Sequence, residues 1–347
     1  MQLDQMKRRD LTPFRQPFLA IFVSGAIDVP VRERSHHLLR AVAYQLQQRF
    51  ALRKLPIRSF GVTSHDELDA GIGEADVLVI SGLWRKAARA PKLRFIQSVG
   101  AGTDQFDRAV LKERGIRLAS AQGVNVNAVS EHVMSLILAL ARRLPEARDN
   151  QAKRVWRGMI SDLSQREDEI AGKTLLVVGL GGIGGRLARL AKAFDMRVIG
   201  VKRDLSKGAA GADSVHTLAE LKTLLPQADF VALTCPLTRE TENVIDAAAF
   251  AKMKPCAYLI NAARGRCVEE GALIEALRKG SIAGAALDVT VDEPLPPASP
   301  VWDLSNVFIT PHTAGETRRY EDNVLDILLD NLQRLSRGQA MLRNQIL

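Results

Sequence analysis

The stretch LLVVGLGGIGG, Leu175 to Gly185, decides how the rest of the chain is read. An apolar run, Leu175–Val178, leads straight into Gly179, Gly181 and Gly184, spaced G-x-G-x-x-G, and GRLARLAKAF (Gly185–Phe194) follows as a good helix. Glycine clusters also mark ordinary turns, so the pattern alone is weak. With a strand before it and a helix after it, the glycines acquire a purpose. They let the backbone turn tightly and approach a pyrophosphate, which the N–H groups of the helix terminus then hold. The stretch therefore predicts a dinucleotide-binding turn, with Gly182 and Ile183 inside it.

The next strand, MRVIGVKRD (Met196–Asp204), should reach the adenosine ribose about twenty positions after the glycines. Lys202 and Arg203 occupy its tip, and Asp204 follows one step later. A basic pair welcomes a 2′-phosphate and so NADP; Asp204, if the strand end is offset, would pair with the 2′-hydroxyl and select NAD. The reading favours NADP and leaves NAD open.

Outward from this unit, short apolar runs alternate with longer helical patterns. FLAIFVSG (18–25), ADVLVISG (75–82) and LRFIQSVG (93–100) precede the glycine turn; DFVALTC, AYLINAA, IAGAALDV and NVFITPH follow it. That rhythm predicts an α/β fold of two doubly wound, Rossmann-like domains with parallel sheets. VNVNAVSEHVMSLILALARR (124–143) reads as a long helix buried between the domains, with His132 as a satisfied interdomain histidine. Glu146 to Gly172 reads as a polar connector anchored by Trp156, and Glu316 to Leu335 as a further helix. The expected division is 1–122 as the start of a discontinuous substrate domain, 123–315 as the NAD(P)-binding domain, and 316–347 as a helix returning to the former.

Bulk composition narrows the class. A chain of 347 residues exceeds one ordinary core, and 46% apolar with 25% charged residues is globular composition. Neither a run of eighteen apolar residues nor an apolar signal-peptide core is visible, so a soluble, cytoplasmic protein without membrane partners is expected. Cys235, Cys256 and Cys267 have no C-x-x-C spacing, which indicates neither a disulfide framework nor a metal site. The net charge of +9 is concentrated early, with 11 Lys/Arg against 4 acids in residues 1–58. These charges are scattered without interleaved aromatics, so a surface attracting small anions explains them as well as nucleic acid does, and no nucleic-acid partner is expected.

From Lys92 to Thr317 the chain resembles the D-isomer-specific 2-hydroxyacid dehydrogenases, the family of glyoxylate/hydroxypyruvate reductases, phosphoglycerate dehydrogenases and D-lactate dehydrogenases. The resemblance is carried by VGAGTDQFD, NAVSEHVMSLILALARR, VVGLGGIGGRLA, CPLTRETENVI, INAARGRCVEEGALIEAL, ALDVTVDEPLP and NVFITPHTAG, in that order. It implies a catalytic trio of Arg264 in NAARG, Glu293 in DEP and His312 in TPH. Each type suits hydride transfer to a 2-oxo acid. Histidine gives a proton near neutral pH, a carboxylate beside it raises its pKa, and arginine offers a planar fork to the substrate carboxylate.

The resemblance further implies cofactor contacts at Ile183, Cys235, Pro236, Ala262 and Asp288, the last toward the nicotinamide amide. Arg264 and His312 would also face cofactor and substrate, and the N–H groups of Ala101 and Gly102 would hold the substrate carboxylate. Cys235 reads as a packing residue, since its motif offers no histidine partner. The family often has an aromatic where this chain has Thr290, so the loop carrying Glu293 is expected to pack differently. The resemblance implies a homodimer. With the sequence stopping at Leu347, it implies no C-terminal regulatory domain of the phosphoglycerate dehydrogenase kind. The loop SGLWRKA (Ser81–Ala87) is the candidate for substrate choice, through Leu83, Trp84 and Arg85. A dinucleotide-sensing, corepressor-like protein is the alternative function, and the intact trio argues for the enzyme.

Overall fold

The computed structural model describes residues 19–23, 46–53, 57–62, 65–80, 89–103, 106–163 and 166–347. These fall into two compact units: the residues up to Val124 together with Thr317–Leu347, and Asn125–Glu316. The boundaries expected from sequence were 122/123 and 315/316.

The first unit holds a five-stranded parallel sheet, β1 (Leu19–Val23), β2 (Arg58–Val62), β3 (Val77–Ile80), β4 (Phe95–Ser98) and β5 (Arg117–Ala119), in the order β2-β1-β3-β4-β5. Strands β3 and β4 are buried along their whole length, as expected of strands covered on both faces. β2 and β5 escaped the sequence reading because the edges carry weaker patterns: β2 is mostly exposed or half-buried, and β5 has three residues. Two fully buried polar side chains tie the returning C-terminal segment to this sheet. Asn331 Nδ2 donates to Gln97 Oε1 at 2.9 Å and to the Arg343 carbonyl at 3.2 Å, while Asn331 Oδ1 accepts the Arg343 N–H at 2.7 Å.

The second unit is a seven-stranded parallel sheet: β6 (Thr174–Val178), β7 (Arg197–Val201), β8 (Ser214–His216), β9 (Phe230–Leu233), β10 (Tyr258–Asn261), β11 (Gly284–Leu287) and β12 (Val307–Ile309). The order is β12-β11-β10-β9-β6-β7-β8, so the chain winds outward in both directions from the β6/β9 boundary. That reversal is the place where parallel sheets take ligands, and the glycine turn leaves β6 there. Helix α1 (Val126–Ala141) belongs to this unit. Its Val129, Val133, Leu136, Ile137 and Leu140 join one apolar cluster with Leu187, Ala188 and Ala191 of helix α2 (Gly182–Ala193) and with the β6 residues Leu175 and Val177.

The apolar face of α1 formed by these residues is thus covered by the sheet and α2 of its own unit. The connector is corrected. Leu144–Ala152 is helical, with Pro145 in its first turn, and Trp156 is 98% exposed and packs against none of the described residues. The last helix, α3, runs Tyr320–Ser336, starting four residues later than expected. Among the described residues no helix is long and apolar enough to cross a membrane.

The buried Asn331–Gln97 pair generates a stability prediction. Asn331→Leu strands the Gln97 carbonyl and both backbone groups of Arg343, at a cost of about 1–3 kcal/mol. Urea unfolding should show this as a lowered midpoint, and an unchanged midpoint would mean the polar pair is dispensable.

Candidate active site

Every strand of the second sheet points the same way, so the residues following β6, β7, β9, β10, β11 and β12 emerge on one edge. At the centre is Gly179, with φ +106°, where a Cβ would lie 2.5 Å from the Cys235 nitrogen, so only glycine fits. Gly181 precedes α2, which no side chain caps, and a Cβ built on it would meet nothing within 4 Å. Its glycine is therefore not required by the chain's own packing. It opens the approach to the helix N-terminus, and this cradle fits a dinucleotide pyrophosphate. Gly182 is exposed and Ile183 half-buried in the first turn of α2.

The residues after β11 and β12 meet. His312 Nδ1 lies 2.7 Å from Glu293 Oε2. That hydrogen bond first, and the carboxylate's charge after it, hold the imidazole proton and raise the His312 pKa above its ordinary 6.5 against the opposing effects of burial and Arg264. For Glu293, burial pushes upward, but the His312 bond and charge, the Thr290 N–H and Arg264 outweigh it and leave the carboxyl lowered.

The loop is organised by Thr290. Its N–H donates to Glu293 Oε1 at 3.2 Å and its hydroxyl to the Asp292 carbonyl at 2.7 Å, contacts that an aromatic side chain would supply only in part. His312 itself has φ +55°. Asp288 lies 3% exposed beneath it, its carboxylate accepting from the Thr310 hydroxyl (2.6 Å) and the Thr313 and Ala314 N–H groups (3.0 and 3.2 Å).

Arg264 follows β10. Its guanidinium is exposed and donates to the Ala263 carbonyl at 2.6 Å, and its charge reaches both His312 and Glu293. The turn is shaped by buried Asn261, which donates to the Arg264 carbonyl (3.1 Å) and accepts the Ala263 N–H (3.1 Å). Gly265 then brings this turn against the Glu293 loop, where a Cβ would lie 2.0 Å from the Thr290 oxygen. Sequence reasoning passed over Asn261 and Thr310. The signal for Asn261 was present, since a short amide ahead of a turn commonly bonds to backbone two or three residues on.

After β7, Lys202 is tethered to the Gly208 carbonyl at 2.7 Å, and Arg203 is exposed. Asp204 caps the short helix Leu205–Lys207, accepting from the Ser206 hydroxyl (2.6 Å) and N–H (3.1 Å). Cys235 is buried against Gly179; the Cys267 thiol bonded to it, together with burial, pushes its own thiol upward, which suits packing and not nucleophilic attack. Pro236 is exposed and Ala262 half-buried on the same edge.

Ala101 and Gly102 stand in the first unit, after β4. There buried Ser98 Oγ lies 3.2 Å from the Gly100 carbonyl and 3.4 Å from that of Gly102, and Tyr320 donates to the Val99 carbonyl at 2.7 Å. The loop Ser81–Ala87, with Leu83, Trp84 and Arg85, lies outside the described residues.

Residues 134–314 match the family model for the NAD-binding domain of D-isomer specific 2-hydroxyacid dehydrogenases. The chain belongs to that family. It is 38% identical over 245 residues to glyoxylate/hydroxypyruvate reductase B of Pectobacterium carotovorum, covering 70% of this chain and 76% of that protein. A D-isomer specific 2-hydroxyacid dehydrogenase family protein from Aeromonas salmonicida superposes with a TM-score of 0.78 at 32% identity, over 95% of this chain and 99% of that one.

An NADPH-dependent glyoxylate/hydroxypyruvate reductase from Sinorhizobium meliloti, solved with NADP and malonate, gives a TM-score of 0.73 at 25% identity, over 95% and 97%. Against D-3-phosphoglycerate dehydrogenases the chain spans about half the relative's length, 53% for that of Methanocaldococcus jannaschii. This member of the family is thus a nicotinamide-dependent oxidoreductase that interconverts 2-oxo and D-2-hydroxy acids.

The contact between Gly265 and Thr290 sets a test of the edge geometry. Gly265→Ala should drive the Arg264 turn and the Glu293 loop apart and reduce turnover by about 10²-fold. Cofactor affinity, read by NAD(P)H fluorescence, should be kept, because the glycine turn is untouched. Near-normal turnover would show that the close approach is not needed.

Proposed function

We propose that this dehydrogenase reduces small 2-oxo acids such as glyoxylate or hydroxypyruvate, with His312 as the general acid/base, Glu293 as its partner and Arg264 as the carboxylate-binding fork. The observation that carries the reading is the 2.7 Å His312–Glu293 pair on the sheet edge that also bears Arg264. Bound nicotinamide supplies the hydride. His312 Nδ1–H donates to Glu293, which leaves Nε2 to give its proton to the carbonyl oxygen where negative charge develops. Arg264, permanently charged, offers paired N–H donors to the substrate carboxylate. Asp288 orients the nicotinamide amide. The corepressor-like alternative is not favoured, because the relatives named above are dehydrogenases and reductases and the trio is intact.

The cofactor is NADP in this reading. Support comes from Asp204, whose carboxylate is already engaged with Ser206, and from exposed Arg203 at the strand tip. A homodimer is proposed through residues 144–163, where Leu144, Val155, Trp156, Met159 and Leu163 expose more apolar surface than scattered single residues do. A cytoplasmic location accords with three free cysteines.

Two measurements test these assignments. Reduction needs protonated His312, so its kcat/KM should fall as pH rises through the raised His312 pKa, while oxidation of the D-hydroxy acid should rise over the same range. Glu293→Gln should move both limbs to lower pH, and His312→Gln should cut turnover at least ~10²-fold with cofactor affinity kept. Limbs that stay in place, or near-normal turnover without His312, would overturn the assignment.

For the cofactor, kcat/KM should favour NADPH over NADH. Arg203→Ala should erode that preference by about 5- to 100-fold, the range for one charge-assisted phosphate contact. A native preference for NADH would assign the ribose to Asp204 instead.

A further inference from the structure

His132 lies in the second turn of α1, and the sequence reading left it without a task. The structure gives it a partner within its own unit: Nε2 lies 3.0 Å from Thr310 Oγ1 and 3.5 Å from Asp288 Oδ1. Thr310 Oγ1 lies 2.6 Å from Asp288 Oδ1. An ionised carboxylate only accepts, so the single hydroxyl proton of Thr310 goes to Asp288. The same hydroxyl oxygen then faces His132 as an acceptor, which fixes a proton on His132 Nε2. The donor order is His132 to Thr310 to Asp288.

Asp288 in turn grips the catalytic loop from both sides. Upstream of His312 it holds the Thr310 hydroxyl; downstream it accepts from the Thr313 and Ala314 N–H groups. Its backbone carbonyl accepts the His312 N–H at 2.8 Å. The residue so gripped has φ +55°, in the left-handed region that few residues other than glycine adopt. A buried carboxylate with every donor in place is a stiff support. Without the His132 N–H, the Thr310 hydroxyl loses the partner that fixes its orientation toward Asp288.

We propose that His132 is a positioning residue for the reaction: through Thr310 it fixes the Asp288 carboxylate, and through Asp288 it holds the loop that aims His312 at Glu293. The proposal rests on the acid/base reading of His312. The charged groups facing His312 are Glu293, Asp288 and Arg264, of which Glu293 contributes most, through its hydrogen bond. Loosening the loop lengthens that bond first, so the imidazole proton is held less tightly.

The test compares His132→Leu, which has no donor, with His132→Gln, which places an amide N–H near the position of Nε2. The His312 imidazole is titrated by NMR in the full chain with 13C-labelled histidine, its signal assigned by its loss in His312→Gln. In His132→Leu the His312 titration should move to lower pH and kcat should fall roughly tenfold. His132→Gln should restore both. An unmoved His312 titration in His132→Leu overturns the proposal, even if that variant melts earlier, and so does equal impairment of the two variants. Full turnover in His312→Gln would overturn the acid/base reading, and the titration series would still decide the positioning link.

Discussion

Parallel strands all finish on the same edge of their sheet, and the chemistry of this chain is a consequence of that constraint. The seven strands of the second unit run in one direction, so Gly179, Lys202, Cys235, Arg264, Asp288 and His312, scattered over more than a hundred positions of sequence, leave the sheet on one side. The switch between β6 and β9 opens the middle of that edge, and the glycine turn occupies it. Once the edge is given, the local work falls to short polar side chains. Asn261 shapes the arginine turn, Thr290 the glutamate loop, and Asp288 with Thr310 the histidine loop.

The legible parts of the sequence were those in which one residue type at one spacing has a single physical use. The apolar run into G-x-G-x-x-G located β6, the turn and α2, and buried strands such as β3 and β9 stood out because both faces are covered. The trio was legible through its resemblance to a family, and the geometry pairs Glu293 with His312. What stayed hidden depends on partners distant in sequence. The bond from His132 to Thr310 spans 178 positions, and no periodicity encodes it. Trp156 misled for a related reason: an aromatic residue in a polar stretch reads as an anchor, but burial is decided by what folds over it, and here it stands almost fully exposed.

The edge also shows how little of the site is independent. Gly265 touches the Thr290 backbone, Thr290 holds Glu293, Glu293 holds His312, and Asp288 holds the Thr310 hydroxyl on one side of His312 and the Thr313 and Ala314 N–H groups on the other. A change at any of these positions is transmitted, because close-packed interiors pass displacement on. The cofactor side is more modular. Arg203 and Asp204 lie on a strand tip and an exposed short helix, where substitutions alter charge without disturbing a core.

The left-handed backbone at His312 bears on how such a site persists through evolution. Asparagine and glycine occupy that region of backbone space more readily than histidine does, so the residue that relaxes the loop is one that cannot donate the proton. On the proposed acid/base role of His312, folding and catalysis pull this position in opposite directions. A lineage released from the need for turnover, and kept only for its ability to fold and bind a dinucleotide, would drift toward asparagine or glycine at 312 and gain stability by doing so. On the proposed acid/base role, histidine is held in this left-handed turn by its chemistry rather than by its backbone preference.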